Sequence, residues 1–129
     1  MKIEPGLVAE NTHIVTDEDT AASYSDKLAP VLSTPHLVAL MESTAQAAIQ
    51  SYLEEGQSVV GTRIDMRHLA ATPVGMEVRL RAELLEVDGR RLRFRVEAWD
   101  GVEKIGECEH ERFIINREWF MRRVEEKRG

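Results

Sequence analysis

The chain has 129 residues, a net charge of −6, a pI of about 5.3 and a single cysteine. That length suits one compact domain, expected to span residues 1–129. Few aromatics and no basic stripe argue against a nucleic-acid surface. No stretch approaches the roughly 20 apolar residues of a membrane span, and Met1-Lys2-Ile3-Glu4-Pro5 holds no apolar signal core. Cys108 has no second cysteine to pair with. A cytoplasmic protein without nucleic-acid or membrane partners is expected.

Gly6 to Val15 reads as a first strand. Thr16 to Leu32 is polar and irregular, and reads as a loop or short helices forming a flap. A long helix follows Ser33, with Thr34 as its N-cap and Pro35 in its first helical position. Gly56 is the expected stop. About 20 residues at ~1.5 Å each predict a helix roughly 30 Å long.

After Gly56 the hydrophobic period becomes two. Ser58 to Leu69 reads as a strand, broken by Ala71-Thr72-Pro73-Val74-Gly75. Val78, Leu80, Ala82 and Leu84 then alternate with Arg79, Arg81 and Glu83. Asp88-Gly89 marks a tight hairpin. In the next strand Leu92, Phe94, Val96 and Ala98 share one face, with Arg91, Arg93, Arg95 and Glu97 on the other. Asp100-Gly101 gives a second hairpin, a last strand runs from Val102 to about Asn116, and the charged tail ends in a short helix. The class is α+β: an antiparallel meander packed on one long helix. Leu37 to Ile49 is apolar on almost every side, yet one sheet covers only one side. A flap or a second copy of the chain must cover the rest, so a dimer is expected.

Glu42 lies inside that apolar run, with Val38, Ala39, Ala45 and Gln46 as helical neighbours. A carboxylate there needs a partner or a task. Thr34 stands at the helix N-terminus, where free amides and the dipole favour negative charge. His68 ends the strand before the Pro73–Gly75 break. Each has a plainer reading: Thr34 as a cap, Glu42 paired with an arginine for structure, His68 as a satisfied strand histidine. His110 rivals His68, because alternation puts Gly106, Cys108, His110, Arg112 and Ile114 on one face. His13 and His36 look ordinary by position, and the scattered histidines and lone cysteine show no metal-ligand spacing. No phosphate-cradling glycine loop or Gly-x-Ser-x-Gly elbow occurs, and nothing marks Cys108 as a stabilised thiolate. Arg63, Arg67, Arg90 and Arg112 are candidates for phosphate contacts.

Three stretches together resemble the fluoroacetyl-CoA thioesterase family of hotdog-fold enzymes. They are Val31-Leu32-Ser33-Thr34 with Leu37-Val38-Ala39-Leu40-Met41-Glu42, then Gly61-Thr62 with His68-Leu69-Ala70-Ala71-Thr72-Pro73-Val74-Gly75, and Val87-Asp88-Gly89-Arg90-Arg91-Leu92 with Asp100-Gly101-Val102, Ile105-Gly106 and His110-Glu111-Arg112. The resemblance implies a hotdog homodimer, or a dimer of dimers, that hydrolyses a short or small acyl-CoA. Coenzyme A enters as part of the substrate and no separate cofactor is implied. It puts the catalytic roles on Thr34, Glu42 and His68, and substrate contacts on Gly61, Arg112, Leu28, Val31 and His36. The chain departs from the family at Pro35, where a small glycine is usual. That moves any oxyanion donors to the amides of His36 or Leu37. It also carries Tyr24, Ser25 and Leu28 in place of an aromatic-rich lid. The alternatives are a non-catalytic acyl-CoA-binding hotdog module and a hotdog hydratase.

Overall fold

The structure is a computed structural model that describes residues 2–129. Five strands form one antiparallel sheet: β1 (Val8–Ile14), β2 (Gln57–His68), β3 (Glu77–Asp88), β4 (Arg91–Trp99) and β5 (Lys104–Asn116). Their spatial order is β1-β3-β4-β5-β2, so the long β2 is an edge strand. Helix α1 (Thr34–Ile49) packs across all five strands, and a short helix α2 (Arg117–Glu125) follows β5. This is the hotdog arrangement. Among the described residues, no helix is long and apolar enough to cross a membrane.

Strand alternation places the core as the sequence predicts. Leu92, Phe94, Val96 and Ala98 are buried on β4, and Val78, Leu80, Ala82 and Leu84 on β3. They meet Leu37, Met41, Ala45 and Ile49 from α1. The other flank of α1 is different: Pro35, Ala39, Ser43 and Ala47 are exposed and small. Among the described residues, no element covers that flank.

Both ends of the helix depart from the sequence reading. Ser33, not Thr34, is the N-cap: its hydroxyl accepts the His36 amide at 3.2 Å. Thr34 is thereby freed as the first helical residue, with Pro35 behind it. At the other end α1 stops after 16 residues, and a 3₁₀ turn over Gln50–Tyr52 leads out. Leu53 tucks against the core beyond that turn, which bends the chain before Gly56 is reached. Gly56 takes a left-handed φ of 85° in the turn into β2. The flap holds two 3₁₀ turns, Asp17–Asp19 and Ala21–Ser23. Its far end is tied down by an isolated bridge between Val31 and Pro73, and by Leu32 N–H donating to Thr72 C=O at 2.9 Å.

Helix and sheet pack closely at Gly106 on β5. A Cβ there would lie 2.9 Å from Leu37 Cδ2, 3.1 Å from Met41 Cε and 3.3 Å from the Arg67 carbonyl oxygen. Both side chains are fully buried. Gly106→Ala is therefore expected to destabilise the fold by about 1–3 kcal/mol through overpacking, read as a lower urea midpoint with an unchanged slope.

Candidate active site

The first turn of α1 and the end of β2 converge. Thr34 Oγ1 lies 2.8 Å from His68 Nδ1, a direct side-chain hydrogen bond. Thr34, His68, Leu69, Ala70 and Ala71 line an open pocket of about 310 Å³. His68 Nε2 is shielded from solvent and has no partner among the described residues. Burial lowers the His68 pKa, opposed in part by the Ala70 backbone. Burial therefore biases the imidazole toward its neutral form.

A second polar group forms on the same helix flank. Glu42 Oε2 faces Arg112 Nη1 at 3.7 Å. Arg112 Nη1 also lies 3.1 Å from His110 Nε2, and His110 Nδ1 lies 2.8 Å from the Arg63 carbonyl. The roles follow from donor chemistry. A carbonyl only accepts, so His110 Nδ1 carries the proton; a guanidinium only donates, so Nε2 accepts. His110 is 1% exposed, and burial pushes its pKa down, with the Arg63 carbonyl acting the other way. A neutral histidine thus aims Arg112 toward Glu42. His110 does not pair with Glu42 itself.

Gly61 belongs to this second group. A Cβ at that position would lie 2.7 Å from Glu42 Oε2, 3.4 Å from His110 Cε1 and 3.5 Å from Arg112 Nη1. The absent side chain leaves room for the carboxylate. Glu42 has its arginine, as the plainer reading had it, yet its side chain is 40% exposed and so remains reachable.

The two groups are apart within one chain. Thr34 and Glu42 are eight residues apart on α1, about 12 Å along the axis at ~1.5 Å per residue. The structure brings Thr34 to His68, and Glu42 to Gly61 and Arg112, but does not gather all of them at one point in a single chain. Of the remaining candidates, Val31 is half-buried in its bridge to Pro73, and Leu28 is 50% exposed on the flap. His36 turns away from the Thr34–His68 pocket. Its Nε2 lies 3.1 Å from Asp19 Oδ1, with His13 on the other carboxylate oxygen. The sequence spacing hid this cluster, because it is made by tertiary folding.

The expected oxyanion donors are also corrected. The His36 amide donates to Ser33 Oγ and the Leu37 amide to Ser33 C=O at 3.0 Å. Pro35 has no N–H. Among the described residues, Thr34 N–H is the uncommitted amide of that first turn. Cys108 is no rival nucleophile: burial pushes its thiol up to about 12.

The two lowered histidines set a pH dependence. The unfolded chain takes up protons near the ordinary imidazole pKa of about 6.5, while folded His68 and His110 resist them. The unfolded state then binds more protons, so stability falls as pH drops below about 6.5 and is regained above it. Urea midpoints are expected to be lower at about pH 5.5 than at about pH 7.5, with the difference reduced in His110→Gln.

Comparison with known proteins bears on what this site does. The model of the fluoroacetyl-CoA-specific thioesterase family matches residues 15–118. The fluoroacetyl-CoA thioesterase of Streptantibioticus cattleyicolor is 46% identical over 97 residues, covering 75% of this chain and 70% of that protein. A solved structure of the fluoroacetyl-CoA thioesterase FlK superposes with a TM-score of 0.92 at 36% identity, over 98% of each chain. A thioesterase superfamily member from Thermus thermophilus gives 0.88 at 32% identity, over 98% of this chain and 96% of that one. By sequence and by architecture, the chain belongs to the fluoroacetyl-CoA-specific thioesterase family.

Proposed function

We propose that the protein is an acyl-CoA thioesterase that hydrolyses a short or small acyl-CoA to the free acid and coenzyme A, with Thr34, Glu42 and His68 as its working residues. The observation that carries this reading is the Thr34–His68 hydrogen bond at the head of α1, in a chain of this family. A neutral imidazole beside a hydroxyl can take a proton from water. The water oxygen attacks the thioester carbonyl, the carbon–sulfur bond breaks, and the imidazolium returns its proton to the thiolate. Thr34 holds the imidazole and the carbonyl in register. Glu42, steered by Arg112, either orients that water or attacks first to give an anhydride that water then opens. Gly61 and Arg112 contact the acyl end, and the engaged amides of His36 and Leu37 leave Thr34 N–H as the donor from this turn.

The separation of Glu42 from the Thr34–His68 pair supports a site completed by a second copy. The outer edge of β2 is unpaired, which invites antiparallel pairing with the same strand of another chain. The small outer flank of α1 lets two helices approach. In that homodimer, Glu42 of one protomer faces Thr34 and His68 of its partner. A dimer of dimers is compatible with the same contact. A cytoplasmic setting agrees with a buried, unpaired cysteine.

Release of free thiol from a panel of acyl-CoAs tests the reaction. Turnover is expected to favour short acyl groups. Thr34→Ala, Glu42→Gln and His68→Ala should each lower kcat by about 10²- to 10³-fold. Tight acyl-CoA binding without thiol release in the wild type would instead assign a binding module. Mixing inactive Glu42→Gln and His68→Ala chains tests the shared site: after subunit exchange, about a quarter of wild-type activity should return. No recovery from exchanged subunits would place the whole site within one protomer. Single turnover in labelled water separates the two routes, since label in the Glu42 carboxylate marks the anhydride.

A further inference from the structure

His13 at the end of β1, Asp19 in the first 3₁₀ turn of the flap and His36 in the first turn of α1 meet at one point. His13 Nε2 lies 2.7 Å from Asp19 Oδ2, and His36 Nε2 lies 3.1 Å from Asp19 Oδ1. One donor atom from each residue falls within 4.8 Å of the others. We infer that these three side chains form a binding site for one divalent transition-metal ion of the zinc or cobalt class, separate from the Thr34–His68 and Glu42–Arg112 groups.

Three observations carry this. First, the donor set is two imidazoles and one carboxylate, which suits zinc, cobalt or iron, whereas magnesium and calcium favour oxygen-only shells. Second, the atoms are already near their coordinating positions. Donors ~2.0–2.2 Å from a tetrahedral ion sit roughly 3.3 Å from one another, so the imidazoles need only small shifts. Third, the carboxylate is fixed in advance. Asp19 is 8% exposed in its side chain, and Thr16 N–H donates to its Oδ2 at 2.8 Å.

His36 adds a sign of its own. Its Nε2 is shielded from solvent and makes no hydrogen bond among the described residues, although Asp19 Oδ1 is only 3.1 Å away. The contact is close but misaligned for an N–H donor. A metal ion accepting both the imidazole lone pair and the carboxylate removes that mismatch. The imidazoles are each 31% exposed, which leaves a face open for solvent as a further ligand. The ion would join the root of the flap to the helix turn that presents Thr34, two residues before His36.

Chelator-stripped protein titrated with Co²⁺ and Zn²⁺ tests the site by spectrum, calorimetry and thermal melting. One ion per chain is expected, with the visible absorption of low-coordinate Co²⁺ and a Tm that rises with metal concentration. His13→Ala and His36→Gln should each weaken binding by at least about tenfold, while His68→Ala binds as the wild type does. Two partly exposed histidines are used so that one folded variant suffices, checked by far-UV circular dichroism. The inference is overturned by absent binding, by affinity indifferent to both substitutions, by loss on His68→Ala instead, or by equal competition from Mg²⁺. The first of these outcomes would leave an ordinary ion-pair cluster.

Discussion

The seat of α1 in the concave face of the sheet governs everything else in this molecule. Leu37, Met41, Ala45 and Ile49 fix the rotation of the helix, because each is fully buried against the strands. Gly106 sets its depth, since any side chain there would meet Leu37 and Met41. Once rotation and depth are fixed, Thr34 is set beside His68 at the end of β2, and Glu42 beside Gly61 of β2 and Arg112 of β5. The polar residues are placed by apolar packing several ångströms away, and protein interiors transmit such placement because they are close-packed.

Electrostatics then refines what packing delivers. Arg112 is shared between a neutral histidine and a carboxylate. His110 offers only a lone pair, so it orients the guanidinium without neutralising it, and the positive charge stays available to Glu42. Had His110 been charged, it would repel Arg112 across 3.1 Å. Burial, which biases His110 toward the neutral form, is thus part of how Arg112 is held toward Glu42. His68 obeys the same rule at the other end of the flank: it is kept neutral by its surroundings and bound through one nitrogen to Thr34. Two histidines at separate places on the sheet are thus held toward the neutral form by one physical cause, burial.

Much of this was legible in the chain. The period-two pattern of β3 and β4 gave the buried rows directly, because each apolar residue there has a polar neighbour on the other face. The inward row of β5, from Gly106 through Cys108 and His110 to Arg112, followed from the same alternation. The cap was misassigned because Ser33 and Thr34 are chemically interchangeable as caps, and only the backbone decides which oxygen reaches the His36 amide. The helix end was overrun because Gly56 is a strong stop, while the earlier bend is driven by burial of Leu53, a tertiary effect. Least legible was the meeting of His13, Asp19 and His36. They lie six and 17 positions apart on three different elements, and no local spacing rule joins them. The distance between Glu42 and the Thr34–His68 pair was readable as two helical turns of α1.

The open rim of β2 has a further consequence. Its outer amides and carbonyls are 12 residues long and lack the proline or bulge-driven twist that commonly protects an edge, apart from the irregularity between Gly61 and Arg63. A lone chain in very dilute solution therefore carries adhesive backbone along much of one side. Such a rim favours adsorption to surfaces and losses on handling.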